Sequence, residues 1–172
     1  MEIEKIYQLL FSNITRTYMV IDGAAVPELR TKFFEMRPPH YCLFTGELEP
    51  DMEEVAPYLV RLYPKTPFTE WVLTECWGKN WGIFAQTRQP IEEMRKHFRS
   101  IITVYDEKGV PMTFRFYDPR VFHKFLPTCK SDDLKTLFGT VDRYFAESAD
   151  GSNLVCYQIE NEGYKETELP IK

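Results

Sequence analysis

Asp118, Arg120 and His123 stand close together in the run YDPRVFH, and their types could do acid–base work on an anion. In a hydrolase or nuclease His123 would act as general base and Arg120 would clamp a negatively charged group. A structural account covers the same residues. Asp118 precedes Pro119, the order of an N-cap followed by proline at the first helical position, and a capping carboxylate pairs readily with a nearby arginine. The chain contains no GxSxG, Walker A, GxGxxG or HExxH run. His40, His97 and His123 are isolated from one another, without metal-ligand spacing, and Cys42, Cys76, Cys129 and Cys156 form no CxxC pair. The cysteines are expected to be reduced thiols. The expectation is therefore a protein that is not an enzyme and that carries no metal and no cofactor. Asp118 is then a structural hub together with Pro119, Phe122, Phe125 and Pro127.

The elements that must position this cluster can be read around it. Met112, Phe114 and Phe116 alternate with Thr113, Arg115 and Tyr117, which predicts a strand over 112–116 with Arg115 on the face opposite the phenylalanines. Val121, Phe122, Phe125 and Leu126 follow at helical spacing, and Pro127 is expected to stop that helix by turning Leu126 away from helical angles. Charges inside so apolar a stretch need partners. If the ion pair of Asp118 with Arg115 or Arg120 is buried, removing the carboxylate strands a cation at a cost of roughly 3–5 kcal/mol.

Upstream, Ile3, Ile6, Tyr7 and Leu10 predict an amphipathic helix over 2–12. Strands are expected at 18–21, 41–44, 58–62, 81–86 and 101–105, separated by helices at 27–36, from Pro67 to Gly78, and from Pro90 to about 99. Thr66 and Ser131 read as helix caps. Downstream, 141–147 and 154–159 alternate around Ala149–Ser152, a hairpin, and the acidic segment 160–172 is either an edge strand or loose. Strands alternating with helices favour parallel crossovers in the first half. The expected class is α/β, a single domain over 1–172 with a mixed sheet, flanking helices and a hairpin-rich C-terminal part, or alternatively α+β.

Composition narrows the function further. A chain of 172 residues, 44% hydrophobic and 15% aromatic, is globular in make-up. A net charge of −5 argues against nucleic acid as its partner. No apolar run reaches the ~20 residues of a membrane span, and MEIEKIYQLLFSN lacks the basic start of a secretory leader, so a cytoplasmic location is expected. Trp71, Trp77 and Trp81 are explained by core packing or by a partner surface, where tryptophan, tyrosine and arginine are enriched. On the second account Trp77, Trp81, Arg115, Tyr117 and Arg120 are the partner-binding candidates. The acidic segments 47–54 and 160–168 are solvated loops or steer a basic partner.

The run FRFYDPRVFHKFLPT, with LFG at 137–139, closely resembles the effector adaptors (chaperones) of bacterial type VI secretion systems, the Tap/Tec proteins. VIDGA at 20–24, GEL at 46–48, APYLVRL at 56–62 and WGKNWGIF at 77–84 fit the same family, in the same order, so the shared core covers about 18–140. The resemblance implies a cytoplasmic adaptor. Such a protein binds a cognate toxic effector, promotes its loading onto the VgrG spike and does not travel with the secreted complex. Many relatives continue well beyond this core, whereas this chain stops soon after it. The competing expectations are a small enzyme or nucleotide-binding domain built on Asp118–Arg120–His123, and an immunity protein that blocks a toxin directly.

Overall fold

A computed structural model describes residues 3–11 and 14–171. The amphipathic segment forms helix α1, Ile3–Leu10, burying Ile6 and Leu10; the outermost residues expected of it, 2 and 12, lie outside the described residues. Then follow β1 (Arg16–Asp22), α2 (Leu29–Met36), β2 (His40–Cys42), α3 (Pro50–Val55), β3 (Pro57–Leu62), α4 (Pro67–Glu75), β4 (Gly82–Thr87) and α5 (Ile91–Ile102). The second half comprises β5 (Thr103–Tyr105), β6 (Pro111–Thr113), α6 (Pro119–Phe125), a 3-10 turn at Leu126–Thr128, α7 (Ser131–Phe138), β7 (Arg143–Glu147), β8 (Asn153–Glu160) and β9 (Gly163–Pro170).

Seven strands make one sheet in the order β2-β3-β1-β4-β7-β8-β9, and β5 and β6 pair separately. The class is α/β, as expected, but every strand pair is antiparallel. The reason lies in the strand order. The connection through α4 does carry the chain between parallel strands, β3 and β4, yet β1 lies between them, antiparallel to both. The helical crossovers predicted by strand–helix alternation exist, but they join strands that are not neighbours.

Helices cover both faces of the sheet, which makes three layers. Tyr18, Val20, Ile83 and Ala85 point to one face and pack against Met94 and Phe98 of α5, Phe122 of α6, and Leu137 and Phe138 of α7. Met19, Ile21 and Phe84 point to the other, against Ile6 and Leu10 of α1, Phe33 of α2, and Phe68 and Val72 of α4. A strand buried on both faces reads as a continuous apolar run, which is why MVI in β1 shows no alternation. Burying each such large apolar side chain contributes roughly 1.5–3 kcal/mol, so these two clusters dominate the fold's stability.

The structure corrects several local expectations. Helix α5 runs on to Ile102, and β6 ends at Thr113, so Phe114 to Tyr117 lie outside any strand. Met112 is exposed, whereas Phe116 and the adjacent Tyr117 are both buried, the reverse of alternation. The α-helix does end before Pro127, but not because Leu126 leaves helical angles: Leu126 keeps φ −55° and ψ −42°, and the chain tightens into the 3-10 turn, where proline fits the first turn. Lys130, not Ser131, is the N-cap of α7, and the Asp133 carboxylate reaches back to accept from its N–H. The Thr66 hydroxyl bonds to Tyr63 and Thr69 rather than capping α4. The acidic tail resolves as the full strand β9 along β8.

Candidate functional site

One end of the sheet gathers the chemistry-bearing residues. The register sets Ile21 opposite Gly82 and Phe84 opposite Phe145. The last residue of β1, Asp22, the residue before β4, Trp81, and the last residue of β7, Glu147, therefore lie at the same end. The segment 114–118 and the start of α6 are brought to that end by Asp22.

Asp118 caps α6 as its position before Pro119 predicts: it is 3% exposed, and its Oδ1 accepts from the Arg120 N–H at 2.9 Å. The Arg120 guanidinium returns over the same carboxylate, Nε to Oδ1 at 3.0 Å and Nη2 to Oδ2 at 2.7 Å, a two-pronged pair. Burial opposes ionisation of Asp118, but the bonds from Arg120 and the positive charges of Arg120 and Arg115 outweigh it and hold the carboxyl below its ordinary range. Arg115 stands between two acids. Its Nη2 bonds Asp22 Oδ2 and lies 3.9 Å from Asp118 Oδ2. Asp22 is 2% exposed and also accepts from the Ala24 N–H at 3.0 Å. Tyr117 is buried beside them, and burial together with the Asp22 charge pushes its hydroxyl up to about 12. The arginines themselves are not buried: the side chains of Arg115 and Arg120 are 46% and 65% exposed.

His123 turns away from this group. Its Nε2 lies 2.8 Å from the Glu147 carbonyl, and its Nδ1 bonds the Tyr157 hydroxyl. A carbonyl oxygen only accepts, so Nε2 carries the proton and the tyrosine O–H donates to Nδ1. Both ring nitrogens are thereby engaged with β7 and β8, and no hydrogen bond joins His123 to Asp118 or Arg120 among the described residues. Of the three residues first considered as a catalytic set, the structure joins two and separates the third.

Glu147 was not singled out by its sequence context, nor was Asp22, which enters there only within the run VIDGA. The Glu147 side chain is buried and accepts from the backbone N–H groups of Gly78 and Asn80, clamping the loop between α4 and β4 to the end of β7. Burial raises its carboxyl, with the two N–H donors pulling the other way. One signal was legible: each is a lone acid ending an apolar strand, VID and YFAE, where an exposed acid would not need to sit.

These contacts close a circuit. Asp22 N–H donates to the Trp81 carbonyl at 2.8 Å, Glu147 holds the loop before Trp81, His123 ties α6 to Glu147, Asp118 caps α6, and Arg115 returns to Asp22. Two glycines let the backbones close on one another. A Cβ on Gly82 would stand 2.1 Å from the Val20 carbonyl oxygen, and one on Gly23 would stand 2.3 Å from that of Ala56. The tryptophans divide between two roles. Trp81 is buried with its ring 5.2 Å from that of Trp71, whereas Trp77 is half-buried and donates from Nε1 to the Gly151 carbonyl at 3.1 Å. Of the partner-binding candidates, Tyr117 and Trp81 thus support the surface from beneath, and Arg115, Arg120 and Trp77 reach it.

Among the described residues no group of three His, Cys, Asp or Glu side chains is placed to hold a metal ion, and no helix is long and apolar enough to cross a membrane. The four cysteines are unpaired thiols. A family model described as Domain of unknown function (DUF4123) matches residues 17–136, the span that contains β1 to β4, the arginine-flanked acids and α6. No curated protein and no solved structure matches the chain.

Proposed function

Because the chain belongs to the DUF4123 family, matched over residues 17–136, we propose that it is a non-enzymatic adaptor: a cytoplasmic protein that binds a cognate type VI secretion effector and promotes its loading onto the VgrG spike. The observation that carries this reading is the closed circuit at the end of the sheet. It joins VIDGA, WGKNWGIF and FYDPRVFH, the segments that resemble the adaptor family, and it does so through capping, ion pairing and backbone clamping. A general base needs a lone pair turned toward substrate, and His123 has both ring nitrogens turned into the fold. What the circuit offers outward is two guanidinium groups held by buried carboxylates. Fixed arginines of this kind suit a protein interface, where pre-organised cations give strength and specificity.

Co-expression with the effector encoded beside this chain, followed by size-exclusion chromatography, tests the proposal. A single co-eluting complex is expected, weakened by Arg115→Glu with Arg120→Glu. Separate elution at both low and moderate salt refutes the adaptor reading.

A further inference from the structure

The outer edge of β9 is an eight-residue strand that bonds β8 on one side and no strand on the other, among the described residues. Its free hydrogen-bonding groups can be assigned from three independent observations. The Ser148 N–H bonds the Asn153 carbonyl at 2.9 Å, so Asn153, Val155 and Tyr157 direct their backbone groups to β7, and Leu154, Cys156 and Gln158 direct theirs to β9. The partners of those three residues are Leu169, Thr167 and Lys165. The two-residue turn at Asn161-Glu162, with Asn161 at φ +55°, makes Glu160 and Gly163 a closely bonded pair and gives the same phase. Pro170, which has no N–H to donate, falls on an outward position, the one place on an edge strand where proline removes no ladder bond. Tyr164, Glu166 and Glu168 therefore direct both N–H and C=O away from β8, and Pro170 ends the free ladder.

The side chains of these residues share the sheet face of Val155 and Tyr157, and both glutamates are exposed. Glu168 accepts from Asn153 Nδ2 at 3.0 Å; Tyr164 packs 6.2 Å from the Tyr157 ring. The opposite edge of the sheet, β2, is only three residues long. Edge strands are usually blunted by shortness or by charge. On the face of Glu166 and Glu168 the edge carries charge of one sign, with Lys165 turned to the other face, so on that face it repels a copy of itself and admits a strand of the opposite sign. An antiparallel pairing of two β9 strands centred on Glu166 sets Glu166 against Glu166, and like charges directly opposite are destabilising.

We propose that the free edge of β9 is a docking site for an extended, basic segment of a partner protein, which adds an eighth strand antiparallel or parallel to β9 and lays alternate lysine or arginine side chains beside Glu166 and Glu168. This rests on the adaptor reading only in naming the effector as the source of that segment. The edge lies beyond the matched span 17–136, where recognition of an individual partner is free to differ from what the family shares. Backbone bonding gives such a strand its affinity and the alternate side chains its specificity.

The test uses the full chain, with a synthetic peptide of alternating lysine and valine and its glutamate–valine counterpart as probes. The lysine peptide is expected to slow amide exchange at Tyr164, Glu166 and Glu168, and to bind at least tenfold more weakly to Glu166→Lys/Glu168→Lys, which in turn accepts the glutamate peptide. Glu166→Pro, which removes an outward N–H and no β8 bond, should also lose the peptide while keeping its thermal midpoint. Protection elsewhere, equal binding of both peptides, or a concentration-dependent dimer that protects the same amides overturns the proposal. An effector complex that survives all three substitutions overturns it while leaving the adaptor reading intact. Peptide binding at β9 without any effector complex does the opposite.

Discussion

Replacing Asp118 with alanine removes two different things, and the geometry sets the size of each. The first is the N-cap of α6, the Oδ1 bond to the Arg120 N–H, whose loss costs about 1 kcal/mol. The second is the ion pair. Had Arg115 and Arg120 been buried, stranding one would cost roughly 3–5 kcal/mol. They are not: Arg120 is 65% exposed, so water rehydrates it, and an exposed pair contributes only ~0–1 kcal/mol. Arg115, 46% exposed, keeps Asp22. Asp118→Ala is therefore expected to lose about 1–2 kcal/mol in urea unfolding followed by tryptophan fluorescence, with an unchanged denaturant slope. Asp118→Asn keeps an oxygen that can cap and should recover about half of that loss. The pH dependence has a definite sign. A carboxyl held below its unfolded value of about 3.9 stabilises the fold above that pH and loses this contribution as pH falls through the lower folded value. The gap between the parent and Asp118→Asn should thus close below about pH 4. A loss of 3 kcal/mol or more for Asp118→Ala, or a gap that persists in acid, refutes the assignment of the arginines as solvated.

Glu147→Gln leaves one oxygen to serve two N–H donors, so either Gly78 or Asn80 loses its acceptor and stability falls by roughly 1–3 kcal/mol; amide exchange should quicken in 78–80, and unchanged exchange there refutes the clamp. His123→Ala deprives the Tyr157 hydroxyl and the Glu147 carbonyl of their partner and should cost about 1–2 kcal/mol. Effector binding and secretion should nevertheless persist wherever the variant stays folded; secretion lost at unchanged stability and unchanged binding points to chemistry at His123.

The sequence made some features legible because their causes are local. The cap of α6 follows from an aspartate before a proline, and the hairpin of β7 and β8 from two alternating runs around Asp150-Gly151. Where the cause was distant, local pattern misled. Phe114, Phe116 and Tyr117 obey the hollow between α5 and α6 rather than a strand period, with the Phe114 ring 4.6 Å from Phe125 and the Phe116 ring 5.6 Å from Phe98. The antiparallel sheet was hidden because a helical crossover can join parallel strands that do not touch, as α2 and α4 do, while α3 joins the antiparallel neighbours β2 and β3. Asp22 and Glu147 gain their roles from Arg115 and from the 78–80 loop, 93 and 67–69 residues away along the chain, and nothing local announces such partners. Whether the arginines were buried was left open for a related reason: Phe116, Tyr117 and Phe122 around them are buried, yet the long side chains of Arg115 and Arg120 reach past that core to the surface.

The strand order has a consequence for how the protein is made. β1 to β4 form a contiguous half-sheet as soon as Thr87 has emerged, yet β4 must wait for β7, beyond Arg143, to cover its other side. At ~5–20 residues per second of synthesis the ribosome holds that half-sheet unfinished for several seconds. During that time the ladder side of GIFAQT, later sealed by Tyr144 and Phe145, stays unpaired. Closing so long a loop is slow, and the nascent chain is at its stickiest in that interval. The pace of translation across α5 to α7 therefore sets how long that edge of β4 stays unpaired.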